Sequence, residues 1–365
     1  MIQNILEFIR QDKKFAALCL LVVVVYGGMK FYAKPAVSVP EAASAVSSPQ
    51  ASSSGTASEK KPANAKEELE ALQKKLKENP KAAAFLTAIG FCIISIFSLG
   101  LIVFFGFLYN PAWRDSWNLG IYDVDTTQWR LSMLLRVVVY FLAASFAVNL
   151  ILVLIQQYLF TSLPTNFILL FQTTVVDILC LVFIVTVVRQ NGGEAKDVGF
   201  KIPPKGAFSE VVMGIIGYLG VFPVFVCVLV LLAVIAQIFS YQPPAHPLVN
   251  ILLAEDEKMS WLVVYSVILA TLVAPFLEEV FFRGFCYTLF KRKWGAPTAM
   301  VASSLFFAVI HENMFAFWPI FILGLALAYV YEKRGSLIAP VVLHLVHNST
   351  FIFYFFLAKN ALGQG

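Results

Sequence analysis

Trp261 to Phe290 reads WLVVYSVILATLVAPFLEEVFFRGFCYTLF, an almost unbroken apolar stretch that carries two adjacent acids and a base. It is long enough for a membrane-spanning helix, which needs about 20 apolar residues. Glu278, Glu279 and Arg283 sit inside it. An uncompensated charge at that depth costs at least about 2.5–3.5 kcal/mol, so the three need partners, water or a task. Glu279 and Arg283 are spaced i,i+4 and pair along one helix face. Glu278 points about 100° away and has no obvious local partner. An ionisable residue inside a span is by itself a functional-site hypothesis.

The composition extends this reading to the whole chain. Only 13% of the 365 residues are charged, where a soluble domain carries about 25%. The expected fold class is all-α, a polytopic membrane helix bundle. The net charge of +5 comes from Lys and Arg scattered through connecting segments, and it implies no nucleic-acid partner. The five cysteines all lie in apolar runs without C-x-x-C spacing, so neither a disulfide framework nor a zinc knuckle is expected. Three of the four histidines, His311, His344 and His347, fall in the last 60 residues. The fourth, His246, reads as a loop residue.

Along the chain, residues 1–33 read as an N-terminal membrane anchor, uncleaved because the Ala43-Ser44-Ala45 site lies too far beyond the apolar run. Residues 34–81 form an Ala/Ser/Pro-rich linker and a short amphipathic helix with Leu69, Leu72 and Leu76 on one face. Apolar runs follow at about 82–109, 131–157, 167–188, 211–239, 260–290, 298–310, 315–331 and 337–357. With the anchor they give about nine transmembrane helices. Residues 82–209 read as accessory helices, 210–357 as the core and 358–365 as a tail. Placing the N-terminus in the cytoplasm puts the loops with Arg189/Lys196, Lys291/Arg292/Lys293 and Lys333/Arg334 there too, as basic loops favour.

In that topology three polar clusters reach similar depth. Glu278 lies roughly 20 Å from Lys291 and His311 roughly 20 Å from Thr298, while His344 lies about 13 Å from Gly335. A carboxylate beside an imidazole can hold and deprotonate a water molecule. A second imidazole and the Asn348 amide can donate to a developing oxyanion. No serine or cysteine carries the flanking pattern of an activated nucleophile. If zinc binds, Glu278, His311 and His344 would be the ligands, though no H-E-x-x-H is present. Blander readings stand beside these: Glu279–Arg283 as a structural pair, Phe307 as packing, His347 as a core histidine, and Glu278, His311 and His344 as a proton or ion relay.

The clusters Glu278-Glu279-Val-Phe-Phe-Arg283, Phe307-Ala-Val-Ile-His311 and His344-Leu-Val-His-Asn348 resemble the motifs of the CAAX-protease and bacteriocin-processing (Abi) family of intramembrane endopeptidases. The resemblance covers about 210–357. It implies catalysis by Glu278 and His311 on water, an oxyanion held by His344 and Asn348, and a site shaped by Glu279 and Arg283. It also implies a membrane-associated polypeptide substrate, prenylated in some members, with water activated by glutamate rather than a metal; no cofactor is expected, zinc remaining the alternative, and the expected location is a bacterial plasma membrane. The alternatives are a non-catalytic bacteriocin-immunity or scaffold protein and an ion-coupled transporter. The transporter is disfavoured because polar clusters occur in the C-terminal half alone.

Overall fold

The computed structural model describes residues 15, 17–24, 80–119, 129–159, 163–241, 249, 252 and 260–361. Most of the expected anchor, the linker and the amphipathic helix lie outside them. Among the described residues there is no strand. The helices are α1 (Pro80–Tyr109), α2 (Pro111–Ser116), α3 (Leu131–Tyr158), α4 (Thr165–Gln190), α5 (Gly206–Ile238), α6 (260–294), α7 (Ala296–Val309), α8 (Phe317–Arg334) and α9 (Ile338–Ala361). Each expected apolar run after residue 80 is one of these helices. Six of them, α1, α3, α4, α5, α6 and α9, are long and apolar enough to cross a membrane. The other two runs are shorter: α7 has 14 residues and α8 has 18. The expected nine crossings counted both of these and the anchor. The chain is a polytopic all-helical membrane protein.

The chain divides into two units, Met1–Ile93 and Ile94–Gly365. Within the first, residues 17–24 and the opening turns of α1 are helical. The second is a bundle with two adjoining cores. One core joins α3, α4 and α6 through Met133, Ile184, Phe285 and Tyr287. The other joins α5, α6, α7, α8 and α9 through Tyr218, Phe282, Phe307, Leu327 and Leu343.

Helix α6 is not regular. It alternates α-helix with π-helix at Leu269–Val273 and Val280–Tyr287, and π segments gather at functional sites. The first has a local cause. Ala274 N–H bonds Leu269 O, five residues back. The next donor in that pattern is residue 275, a proline without an N–H, so Ala270 O is left for another partner. The second segment lies against the turn at Ala195–Val198. A Cβ on Gly284 would sit 2.3 Å from Val198 O, so only glycine permits this approach.

Charge also ties the bundle together. Arg334, at the C-terminal end of α8, pairs with Glu210 near the start of α5, and both side chains are buried. Its Nη1 also donates to Trp117 O at 3.2 Å. Nearby, Lys291 pairs with Glu332 at 2.7 Å, which also accepts from the Tyr287 hydroxyl.

Candidate active site

The polar residues of α6 meet those of α9 inside the bundle. Glu279 Oε1 accepts from Arg283 Nη1 at 2.9 Å, the expected i,i+4 pair, with both side chains buried. The same oxygen lies 2.9 Å from His344 Nδ1. Arg283 is held further by Gly324 O at 3.2 Å and stands 4.6 Å from the centroid of the Phe307 ring, a cation–π distance. Phe307 therefore does more than fill space. Its ring also meets those of His311 at 4.8 Å and His344 at 5.8 Å, both edge to face.

Glu278 finds the partner that local spacing did not offer. Its Oε2 lies 3.7 Å from His344 Nε2, and its side chain keeps 32% of its surface exposed. The imidazole of His344 thus stands between the two glutamates, one ring nitrogen to each. At 3.7 Å the contact with Glu278 is too long for a direct hydrogen bond but close enough for both groups to share one water. Glu279 Oε2 and Arg283 Nε remain buried without a hydrogen bond. This group is held in place by contacts with three other helices.

His311 lies two residues beyond the end of α7, in the turn that follows. Its Nδ1 is 2.7 Å from Phe307 O. A carbonyl can only accept, so Nδ1 carries the hydrogen and the neutral ring leaves its Nε2 lone pair free. Asn348 donates from Nδ2 to Ala270 O at 2.8 Å, filling the place that Pro275 cannot. This leaves one amide hydrogen and the carbonyl oxygen of Asn348 for other work. His347 packs between Phe225, 4.9 Å away between ring centroids, and Tyr218 at 5.9 Å. Its Nδ1 is buried without a hydrogen-bond partner, and its place between two rings agrees with a packed core histidine.

Among the described residues no three His, Cys, Asp or Glu side chains are grouped closely enough to hold a metal ion. Glu278, His311 and His344 therefore do not fit a three-ligand zinc site in this geometry. One acid escaped the sequence reading. Asp177, in the middle of α4, lies close enough to Glu278 for their charges to interact. Helix α4 packs against α6 here, with Cys180 and Leu181 against the core around Cys286. The signal was present: an acid within the apolar run 167–188 meets the same membrane-depth argument as Glu278.

Residues 260–350 match the family described as type II CAAX prenyl endopeptidase, Rce1-like. That segment holds all three motifs and every site residue except Asp177. The match spans a quarter of the chain and agrees with the resemblance drawn from the motifs. An uncharacterized 24.3 kDa protein of Escherichia coli is 27% identical over 107 residues, which is 28% of this chain and 48% of the relative. The chain thus spans about half the length of the curated relative it matches. No solved structure matches. At the family level the Rce1-like segment supports a protease-type enzyme embedded in a membrane.

Proposed function

We propose that the protein is an intramembrane endopeptidase that hydrolyses a peptide bond of a membrane-associated polypeptide, using water activated by glutamate and histidine. The carrying observation is the pair Glu278 Oε2 and His344 Nε2 at 3.7 Å, beside the fully buried Glu279–Arg283 pair that orients the imidazole. Glu278 takes a proton from water as the water oxygen attacks the peptide carbonyl. The tetrahedral oxyanion accepts hydrogen bonds, and its collapse expels the amine, which recovers the proton from Glu278.

The proposed roles of the histidines depend on their tautomers. His344, with Nδ1–H fixed on Glu279, presents Nε2 either to the water or, when protonated, to the oxyanion. His311 keeps its Nε2 lone pair for a water or the leaving group. Asn348 has one amide hydrogen left for the oxyanion. A prenylated CAAX-type polypeptide is the substrate class suggested by the family description, and a cytoplasmic opening fits the basic loops.

Comparison of peptide termini in membranes carrying wild type or Glu278→Gln at matched levels tests this reading. The substitution is nearly isosteric and removes the base. Cleaved termini seen with wild type alone support hydrolysis and reveal the substrate class. Identical profiles, with the targets expressed, would sink the enzyme and leave the scaffold or immunity reading.

A further inference from the structure

On the side of α8 away from Gly324 and the Arg283 site, helices α1, α5 and α8 enclose a cavity of about 170 Å³. Val103 and Phe107 on α1, Gly217 and Gly220 on α5, and Ala326 and Tyr329 on α8 form its walls. These six residues are each half-buried, so the cavity reaches the outer surface of the bundle. Two of its three walls belong to candidate membrane spans. Gly220 helps to keep it open: a Cβ there would lie 3.1 Å from the side chain of Val103 on the facing wall. A dry apolar cavity of this order admits a hydrocarbon group.

One lining residue carries a buried polar atom. Trp117 is 4% exposed and lines the cavity, yet its Nε1 has no hydrogen-bond partner. The residue is pinned through its carbonyl by Arg334 and through its ring by Phe107, with centroids 5.9 Å apart. A buried indole N–H without an acceptor calls for one. The charges beside it are mostly positive. Lys333 Nζ stands 5.7 Å from the centroid of Tyr329, and Arg114 and Asp115 both act electrostatically on Tyr329. Among the described residues neither Lys333 nor Arg114 has a salt bridge.

We propose that this cleft binds an anionic phospholipid, with a segment of one acyl chain in the cavity, an ester carbonyl on Trp117 Nε1 and the phosphate between Lys333 and Arg114. An apolar slot, a buried donor and a cationic mouth follow one another as tail, ester and headgroup do in such a lipid. The site is separate from the glutamate–histidine cluster and requires no hydrolysis.

The test uses the full chain reconstituted in phosphatidylcholine bilayers with a trace of phosphatidylglycerol carrying a photoreactive group in one acyl chain. Adducts are mapped by mass spectrometry. Wild type is expected to carry adducts concentrated on Val103, Phe107, Ala326 and Tyr329. Ala326→Phe fills the cavity and is expected to abolish this cluster of adducts. Arg114→Gln and Lys333→Gln remove the cationic mouth without touching the core, and each is expected to lower labelling roughly fivefold. Adducts spread evenly over all lipid-facing helices would overturn the proposal. So would equal labelling by a phosphatidylcholine probe, or labelling that persists in Ala326→Phe protein whose circular dichroism and gel-filtration profile match wild type.

Discussion

Of the two adjacent glutamates, the buried one carries the architecture and the partly exposed one is left to meet solvent or substrate. Glu279 anchors Arg283 and His344 through a single oxygen, whereas Glu278 keeps a third of its side-chain surface exposed. Sequence spacing gave the Glu279–Arg283 pair at once, because i,i+4 is a local rule. It could not give His344 as the link between both acids, since that contact joins residues more than sixty positions apart. Nor did it give Asp177, whose importance comes from packing α4 on α6. Among the described residues Asp177 has no salt bridge, and an acid beside Glu278 without a counter-charge is costly inside a membrane. Asp177→Asn is therefore expected to raise the thermal denaturation midpoint in detergent. It is also expected to lower hydrolysis, as when a strained site gives up activity for stability. A midpoint below that of wild type would show that the Asp177 charge is compensated.

Helix α6 shows where pattern reading stops. Its apolar run and its motif were legible, and so were the other seven runs, because length and hydropathy alone identify them. The two π segments were not, since a shift from i+4 to i+5 bonding changes no composition. Pro275 was visible, but its effect on Ala270 O appears only once the turn is traced. This explains Asn348 in a way its motif spacing did not. Asn348→Ala should leave Ala270 O without a donor, at about 1–3 kcal/mol. Pro275→Ala restores a backbone N–H for that carbonyl, so Asn348→Ala should cost less in that background. A double-mutant cycle read by chemical denaturation measures the difference. Additive costs would show that the amide of Asn348 does not replace the missing donor.

For the bundle as a whole, the Rce1-like segment 260–350 does not stand alone. Arg334 within it is neutralised by Glu210 outside it, and Gly284 within it fits against Val198 outside it. The Arg334–Glu210 pair lies within the core 210–357 drawn from the motifs, whereas Gly284 against Val198 joins that core to the helices before it. Glu210→Gln should strand the buried guanidinium and destabilise the fold by about 3–5 kcal/mol. Replacing both partners, as Glu210→Leu with Arg334→Met, should recover much of that loss in thermal unfolding. Failure to recover would mean that the bond from Arg334 to Trp117 O matters more than the ion pair.

Helix α7 has one more consequence. Its 14 residues rise only about 21 Å, short of a hydrocarbon core of about 30 Å. Its last carbonyls and the turn bearing His311 must end below one bilayer surface, where they need hydration or a locally thinner membrane. On the proposed mechanism, acyl-chain length in the surrounding lipid would then become a control on hydrolysis. Short-chain lipids would keep His311 wet, and long-chain lipids would seal it in hydrocarbon.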